Sequence, residues 1–201
     1  MATLLHISSS IFGSEGQSSQ LADRYLQQWK NSHPDGKVVV RDVIADAVPH
    51  LDGARAGAFF TPEENRSAEQ QAYVDYSDSL IAELRQADEV VIGLPLYNFS
   101  IPSQLKAYFD QLARAGVTFK YTENGPVGLI ENKPVHLLAT RGGIYKDSEA
   151  DTSIPFVKQF LGFIGLSDVR VIYAEGLSME DHKDASLSQA RAEVDSILSA
   201  I

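Results

Sequence analysis

The sequence predicts an α/β domain built on one parallel sheet that is doubly wound by helices. Three observations predict it. Five short runs are rich in Val, Ile and Leu, and the one at Val90–Leu94 carries no polar alternation, the pattern of a parallel strand buried on both faces. Between and after them lie stretches with apolar residues at i, i+3, i+4 and i+7, the pattern of amphipathic helices. No repeat, linker or low-complexity segment interrupts the alternation, so the 201 residues read as a single domain, 1–201, with chain enough for one large core.

The first strand is Thr3-Leu-Leu-His-Ile7. Ser8, Ser9 and Ser10 lead from it into Ile11–Ser19, and a helix follows with Leu21, Ala22, Tyr25, Leu26 and Trp29 on one face. Ser18 or Ser19 is the expected N-cap, and His33-Pro-Asp-Gly36 the closing turn. Small hydroxylated residues before a helix suit a phosphate, because terminal N–H groups and hydroxyls donate to it and the helix dipole favours its charge. Simple helix capping is the competing reading. Neither G-x-x-x-x-G-K-[ST] nor G-x-G-x-x-G occurs here, so a nucleotide P-loop and a dinucleotide-binding turn are not expected.

Lys37-Val-Val-Val-Arg41 is the second strand, completing a βαβ unit. Ile44 to Phe60 reads as a long irregular segment, and such segments are usually functional or interfacial. Phe59 and Phe60 close it, with at least one expected in the protein's own core. Thr61-Pro-Glu-Glu64 is close to a capping box, and the helix it opens runs to about Gln86 with Ala72, Tyr76, Leu80 and Leu84 at i+4 spacing. Its carboxylates and Arg85 read as a solvated face.

Val90-Val-Ile-Gly-Leu94 is the third strand. After it, Pro95–Ser100 precedes a helix marked by Leu105, Tyr108, Phe109, Leu112 and Ala113, with Pro102 in its first turn. That loop sits at the C-terminal end of a central strand, where open α/β sheets bind ligands. Tyr97 and Phe99 offer aromatic surfaces and Asn98 an amide with donors and acceptors, which suits a flat heteroaromatic cofactor. Val117–Gly128 reads as an irregular excursion with an Asn-Gly turn. Pro134–Thr140 is the fourth strand and runs into Arg141-Gly-Gly143. Paired glycines let backbone approach a ligand, or simply form a tight turn. Phe156, Val157, Phe160, Leu161 and Ile164 mark a helix, Val169–Tyr173 the fifth strand, and Leu187, Ala190, Val194, Ile197 and Leu198 the last helix. His6 and His136 fall in mid-strand and read as structural.

Right-handed crossovers leave few topologies for this series. The expected one is a flavodoxin-like, doubly wound, five-stranded parallel sheet of order 2-1-3-4-5 with helices on both faces. It brings the Ser-rich, aromatic and Gly-Gly loops to one edge.

Composition narrows the function. A net charge of −10 argues against a general nucleic-acid surface. The absence of cysteine excludes disulfides, thiolate catalysis and Cys-based metal sites, and no metal is expected. The start lacks a signal-peptide pattern and no apolar run approaches spanning length, so a soluble cytoplasmic protein without membrane partners is expected.

The chain resembles the bacterial FMN-dependent NADH:quinone oxidoreductase/azoreductase family over essentially its whole length. The resemblance rests on Pro95-Leu-Tyr-Asn-Phe99, Ser103-Gln-Leu-Lys106, Ala113-Arg-Ala-Gly-Val-Thr-Phe119 with Tyr121-Thr-Glu-Asn-Gly-Pro126, Arg141-Gly-Gly143 and Phe160-Leu-Gly-Phe-Ile-Gly165, in that order. It implies a homodimer with one non-covalent FMN per subunit, placed at the subunit interface, and NADH as electron donor. By family pattern Ser10, Gly16, Gln17 and Ser18 hold the phosphate. Leu96, Tyr97, Asn98 and Phe99 hold ribityl and ring, and Thr140, Arg141, Gly142 and Gly143 line the pyrimidine side. Members commonly carry Ser-x-Ser at 16–18, whereas Gly16-Gln17-Ser18 stands here, and Thr140 replaces a frequent Ser. The implied reaction is ping-pong: hydride from NADH to flavin N5, then two electrons to a quinone or an azo compound, with no catalytic side chain. Phe60, Tyr121 and Phe163 are candidates for stacking on the second substrate. A flavodoxin-type electron carrier shares fold and cofactor and is the alternative; a flavin-free binding module is a third reading.

Overall fold

The computed structural model describes residues 1–199, with side chains as far as Ile197, so Leu198, expected on the last helix, lies outside the described side chains. In chain order the strands are β1 (Thr3–Ser8), β2 (Lys37–Asp42), β3 (Glu89–Pro95), β4 (Phe119–Thr122), β5 (Gly125–Gly128), β6 (Val135–Thr140) and β7 (Val169–Ala174). The α-helices are α1 (Gln17–Ser32), α2 (Gly53–Phe60), α3 (Ala68–Gln86), α4 (Ser103–Leu112), α5 (Ser153–Ile164) and α6 (Glu180–Ser199). Five strands form one sheet in the order β2-β1-β3-β6-β7, and every pairing in it is parallel. The sequence's fourth and fifth strands are β6 and β7, so this is the expected 2-1-3-4-5 order. None of the helices described is long and apolar enough to cross a membrane.

Side chains alternate across the sheet and feed two cores. On one face Leu4, Val91, Leu138 and Ile172 pack with Leu21, Tyr25 and Trp29 of α1 and Val194 of α6. On the other, Leu5, Val90, Ile92 and Leu137 pack with Leu80 and Leu84 of α3, Phe109 of α4 and Leu161 of α5. Glu89 opens β3 as a buried carboxylate that accepts from the Tyr25 hydroxyl and from Trp29 Nε1 (3.0 Å). His136 Nε2 lies 3.5 Å from it, and burial holds the imidazole pKa below its ordinary value. This polar knot sits at the sheet edge away from the loops of interest, and both mid-strand histidines are buried.

The structure corrects several local expectations. The segment 44–60 is not wholly irregular: Asp52 accepts from Arg55 N–H (2.8 Å) and caps α2. Thr61 does not cap the next helix, because its hydroxyl donates back to Gly57 O (2.9 Å) and closes α2. The capping box belongs to Ser67 and Gln70, whose reciprocal bonds are 3.1 and 3.0 Å. Gly16, not Ser18 or Ser19, is the N-cap of α1. Pro102 is the N-cap of α4 and lies outside its first turn. The excursion 117–128 is an antiparallel hairpin, β4 with β5. Glu83 and Arg85 of α3 are engaged, Glu83 with Arg41 and Arg85 with Val117 O (2.6 Å). Phe59 packs under the Arg114 guanidinium at 4.4 Å, while Phe60 is 80% exposed.

Candidate functional site: a cavity at the C-terminal edge of the sheet

Three loops converge beyond the C-terminal ends of β1, β3 and β6. The first is anchored by Ser9, whose hydroxyl donates to Gly93 O (2.6 Å). Ser10 Oγ accepts from Phe12 N–H (3.2 Å) and lies 3.3 Å from the Tyr97 hydroxyl, joining the first loop to the second. Gly16 is extended at the helix start, and a Cβ there would lie 2.1 Å from Ser10 Oγ and 2.9 Å from Ser10 Cβ. The first bond into α1 is Gln20 N–H to Gly16 O (3.0 Å). The N–H groups of Gln17, Ser18 and Ser19 therefore have no helical acceptor, and the positive end of the helix dipole adds to them. Ser18 is 1% exposed and its hydroxyl has no protein partner among the described residues.

The second loop turns on two residues. Tyr97 N–H donates to Ser100 O (2.9 Å) and Ser100 N–H to Tyr97 O (3.0 Å), with Asn98 at φ 50° and Phe99 at φ 63°. Positive φ at both central positions is the type I′ hairpin geometry. Asn tolerates it; for Phe it costs of the order of 1–3 kcal/mol. Tertiary contacts hold the strained residue: the Thr152 hydroxyl donates to Phe99 O, and the Phe99 ring meets Tyr145 edge-on at 5.9 Å. The Asn98 amide has no protein partner among the described residues.

The third loop is locked to the loop after β7. Arg141 N–H donates to Ala174 O (2.9 Å), Leu177 N–H to Arg141 O (3.1 Å), Ser178 N–H to Gly142 O (3.0 Å) and Gly176 N–H to Gly143 O (2.9 Å). The Arg141 guanidinium is consumed by structure. It is buried and bonds Asp151 (2.7 Å), Glu175 (3.1 Å) and Ser153 Oγ (3.2 Å). The N–H groups of Gly142 and Gly143 donate to no protein acceptor among the described residues.

Between these loops lies a cavity of about 370 Å³. Of the residues expected at the site, Ser10, Gly16, Gln17, Ser18, Leu96, Tyr97, Thr140, Arg141 and Gly142 line it. Asn98, Phe99 and Gly143 do not line it; Asn98 and Gly143 follow directly on lining residues, and Phe99 comes next after Asn98. The sequence reading missed Phe12, Pro95, Leu177 and Ser178, which also line it. Phe12 meets Tyr97 edge-on at 6.1 Å. The rule that ligands bind at strand C-terminal ends covers the loop after β7 as well, and was the signal available for Leu177 and Ser178.

The three residues expected to stack on a second substrate do not reach this cavity. Phe163 lines a separate apolar groove of about 600 Å³ with Pro126, Phe156 and Phe160. Tyr121, 76% exposed, shares that side of the molecule through Phe119, which contacts Tyr121 at 5.7 Å and Phe163 at 4.2 Å between ring centroids. Phe60 projects from the end of α2.

The donor set of the first cavity fits a phosphorylated ligand that carries a planar ring. N–H groups at a helix N-terminus and a buried free hydroxyl suit a phosphate; aromatic and glycine loops suit a planar polar ring.

Comparison with known proteins agrees. A family model described as flavodoxin-like fold matches residues 2–198. A Cellvibrio japonicus protein named FMN-dependent NADH:quinone oxidoreductase is 56% identical over 200 residues, covering 100% of each chain. The crystal structure of an azoreductase from Bacillus anthracis superposes with a TM-score of 0.92 at 29% identity, covering 100% of both chains. That of an FMN-dependent NADH-azoreductase from the same species, in complex with FMN, gives 0.89 at 27% identity, covering 100% of this chain and 99% of the other. With a family match over nearly its whole length and a full-length relative at 56% identity, the chain belongs to the flavodoxin-like family of FMN-dependent NADH:quinone oxidoreductases and azoreductases.

Proposed function

We propose that this protein is an FMN-dependent NADH:quinone oxidoreductase that also reductively cleaves aromatic azo compounds. The observation that carries the reading is the set of unpaired donors around the first cavity, at the switch point between β1 and β3. When bound, FMN supplies two-electron hydride chemistry at N5, accepting from NADH and delivering to a quinone or azo acceptor in ping-pong order.

The protein's part is to bind, orient and bias. The N–H groups of Gln17, Ser18 and Ser19 and the Ser18 hydroxyl receive the phosphate, with Ser10 and Gly16 shaping that end. Leu96 and Tyr97 wall the chain that follows, and the Asn98 amide and Phe99 ring reach the cofactor from the strained turn. Thr140 and the Gly142 and Gly143 N–H groups face its polar edge, where fixed donors stabilise negative charge. Arg141 contributes through its backbone, its guanidinium being held by Asp151 and Glu175. Among the described residues, Arg141 and the Tyr97 phenol are the ionisable side chains that line the cavity, which supports chemistry that needs no side-chain acid or base.

The acceptor site is completed by a second copy of the chain. The apolar groove on α5 and the exposed rings of Phe60 and Tyr121 support a homodimer in which Phe60, Tyr121 and Phe163 serve the partner's cofactor. Anaerobic stopped-flow tests the function. NADH alone is expected to bleach the bound flavin, and benzoquinone and a model azo dye to restore its colour. A flavin that NADH leaves oxidised would support the electron-carrier reading, and failure of both acceptors would remove the proposed activity. Light scattering on the same sample is expected to give twice the chain mass.

A further inference from the structure

The loop after β7 lines the cavity with Leu177 and Ser178, and nothing in the proposed reaction yet uses either. Its backbone is fixed edge to edge against the loop after β6 through the Leu177, Ser178 and Gly176 N–H bonds described above. That pairing sets the Ser178 side chain against Gly142. A Cβ built on Gly142 would lie 2.7 Å from Ser178 Oγ. Glycine at 142 thus does more than let backbone approach a ligand: it leaves room for this hydroxyl.

The hydroxyl has no hydrogen-bond partner among the described residues. The other wall is short of one, because Gly16 brings no side chain and the space its Cβ would fill is taken by Ser10 Oγ. Position along the cavity says what Ser178 meets. The first turn of α1 marks the phosphate end. Asn98, Phe99 and Gly143, which the proposed function sets toward the ring, lie outside the cavity lining. What passes between Tyr97, which walls the linking chain, and Gly142, whose N–H faces the ring edge, is therefore the ring-proximal end of that chain. A polyol needs neighbours that both donate and accept, and a serine hydroxyl does both.

We propose that Ser178 is a cofactor-binding residue whose hydroxyl hydrogen-bonds the ribityl chain of FMN, a proposal that rests on the FMN reading of this cavity. The test is fluorescence titration of the apoprotein with FMN and, separately, with riboflavin. Ser178→Ala is expected to weaken both by about three- to tenfold, the loss of one hydrogen bond. The melting temperature of the apoprotein is expected to stay unchanged, since the hydroxyl has no protein partner. Gly142→Ala, which displaces the hydroxyl, is expected to cost less affinity in the Ser178→Ala background than alone. Affinities unchanged by Ser178→Ala would overturn the proposal, as would a loss seen with FMN and absent with riboflavin, which would move the contact to the phosphate. Wild-type protein that binds neither flavin would overturn the cofactor reading itself, and this proposal with it.

Discussion

Removing the Asp151 carboxylate is expected to cost far more than its single ion pair would on a surface. Exposed pairs contribute about 0–1 kcal/mol. Arg141 is 2% exposed, and breaking a buried pair from one side costs about 3–5 kcal/mol because the surviving charge stays desolvated. Glu175 still faces Arg141 in the variant, at 3.1 Å. Its Oε1 is already shared with the N–H groups of Tyr145 (2.9 Å) and Lys146 (2.8 Å), so relief is partial. Asp151 Oδ1 also accepts from Ile154 N–H (3.2 Å) at the start of α5, where Thr152 makes no side-chain cap. Loss of that cap adds about 1 kcal/mol to a pair cost at the low end of its range, giving about 4 kcal/mol for Asp151→Ala. Trp29 is the only tryptophan and is buried in the α1 core, so its fluorescence reports global unfolding in urea. With a denaturant slope of about 2 kcal/mol per molar, the midpoint falls by about 2 M. Asp151→Asn, which keeps an oxygen acceptor, is expected to lose less. A shift below about 0.5 M for Asp151→Ala, equivalent to about 1 kcal/mol, would refute the buried pair as the element that holds the Gly142-Gly143 loop.

Two further substitutions probe the site and the core. Asn98→Ala is expected to weaken FMN binding by about tenfold, combining the lost amide with the cost of φ 50° for Ala; Asn98→Gly relieves the backbone but also lacks the amide. Equilibrium titration separates the two, and wild-type affinity in the Gly variant would show that the amide makes no contact. Burial lowers the pKa of His6, against the opposing pull of Asp23 and Asp42, and lowers that of His136. A depressed folded pKa means that only the unfolded chain takes up the proton as pH falls through about 6.5, so stability is full above that value and declines below it. Urea midpoints at pH 7.5, 6.0 and 5.0 are expected to fall in that order. His6→Leu, which removes two buried ring nitrogens without partners, is expected to flatten the trend and raise the midpoint at every pH. A steeper pH dependence in that variant would contradict this account.

The fold was legible because its determinants are local. The apolar runs at β1, β3 and β6 are too short for helices and read as buried strands, and right-handed crossovers then leave little choice of order. The convergence of the loops after β1, β3 and β6 was legible to the same depth, since it follows from strand order alone. What escaped depends on competition between neighbours. Gly53 and Gly57 lower helix propensity enough to hide α2, although Asp52 was an available cap signal. Thr61 and Ser67 both offer capping chemistry, and Thr61 is claimed first by the carbonyl of Gly57. The role of Arg141 could not be read because Asp151 and Glu175 reach it from separate loops. Phe60, Tyr121 and Phe163 were expected to stack on the second substrate, yet within one chain Phe163 lines the groove on α5 and Tyr121 meets it only through Phe119.

The division of polar groups at this edge of the sheet explains how one architecture serves both stability and chemistry. The buried charge is spent internally: Arg141 is bracketed by two carboxylates, and Glu175 ties down two backbone N–H groups besides. The neutral groups have no protein partner among the described residues: the hydroxyls of Ser18 and Ser178, the Asn98 amide and the N–H groups of Gly142 and Gly143. An unpaired neutral donor beside an open cavity costs little, since water serves it, whereas an unpaired buried charge would cost several kcal/mol. A ligand that satisfies many neutral donors at once therefore binds without dismantling the ion pairs that fix the loops. The same division suits the proposed hydride transfer. Two-electron chemistry at a bound ring needs orientation and a field of fixed dipoles, and a free acid or base beside it would add a titration that the reaction does not require.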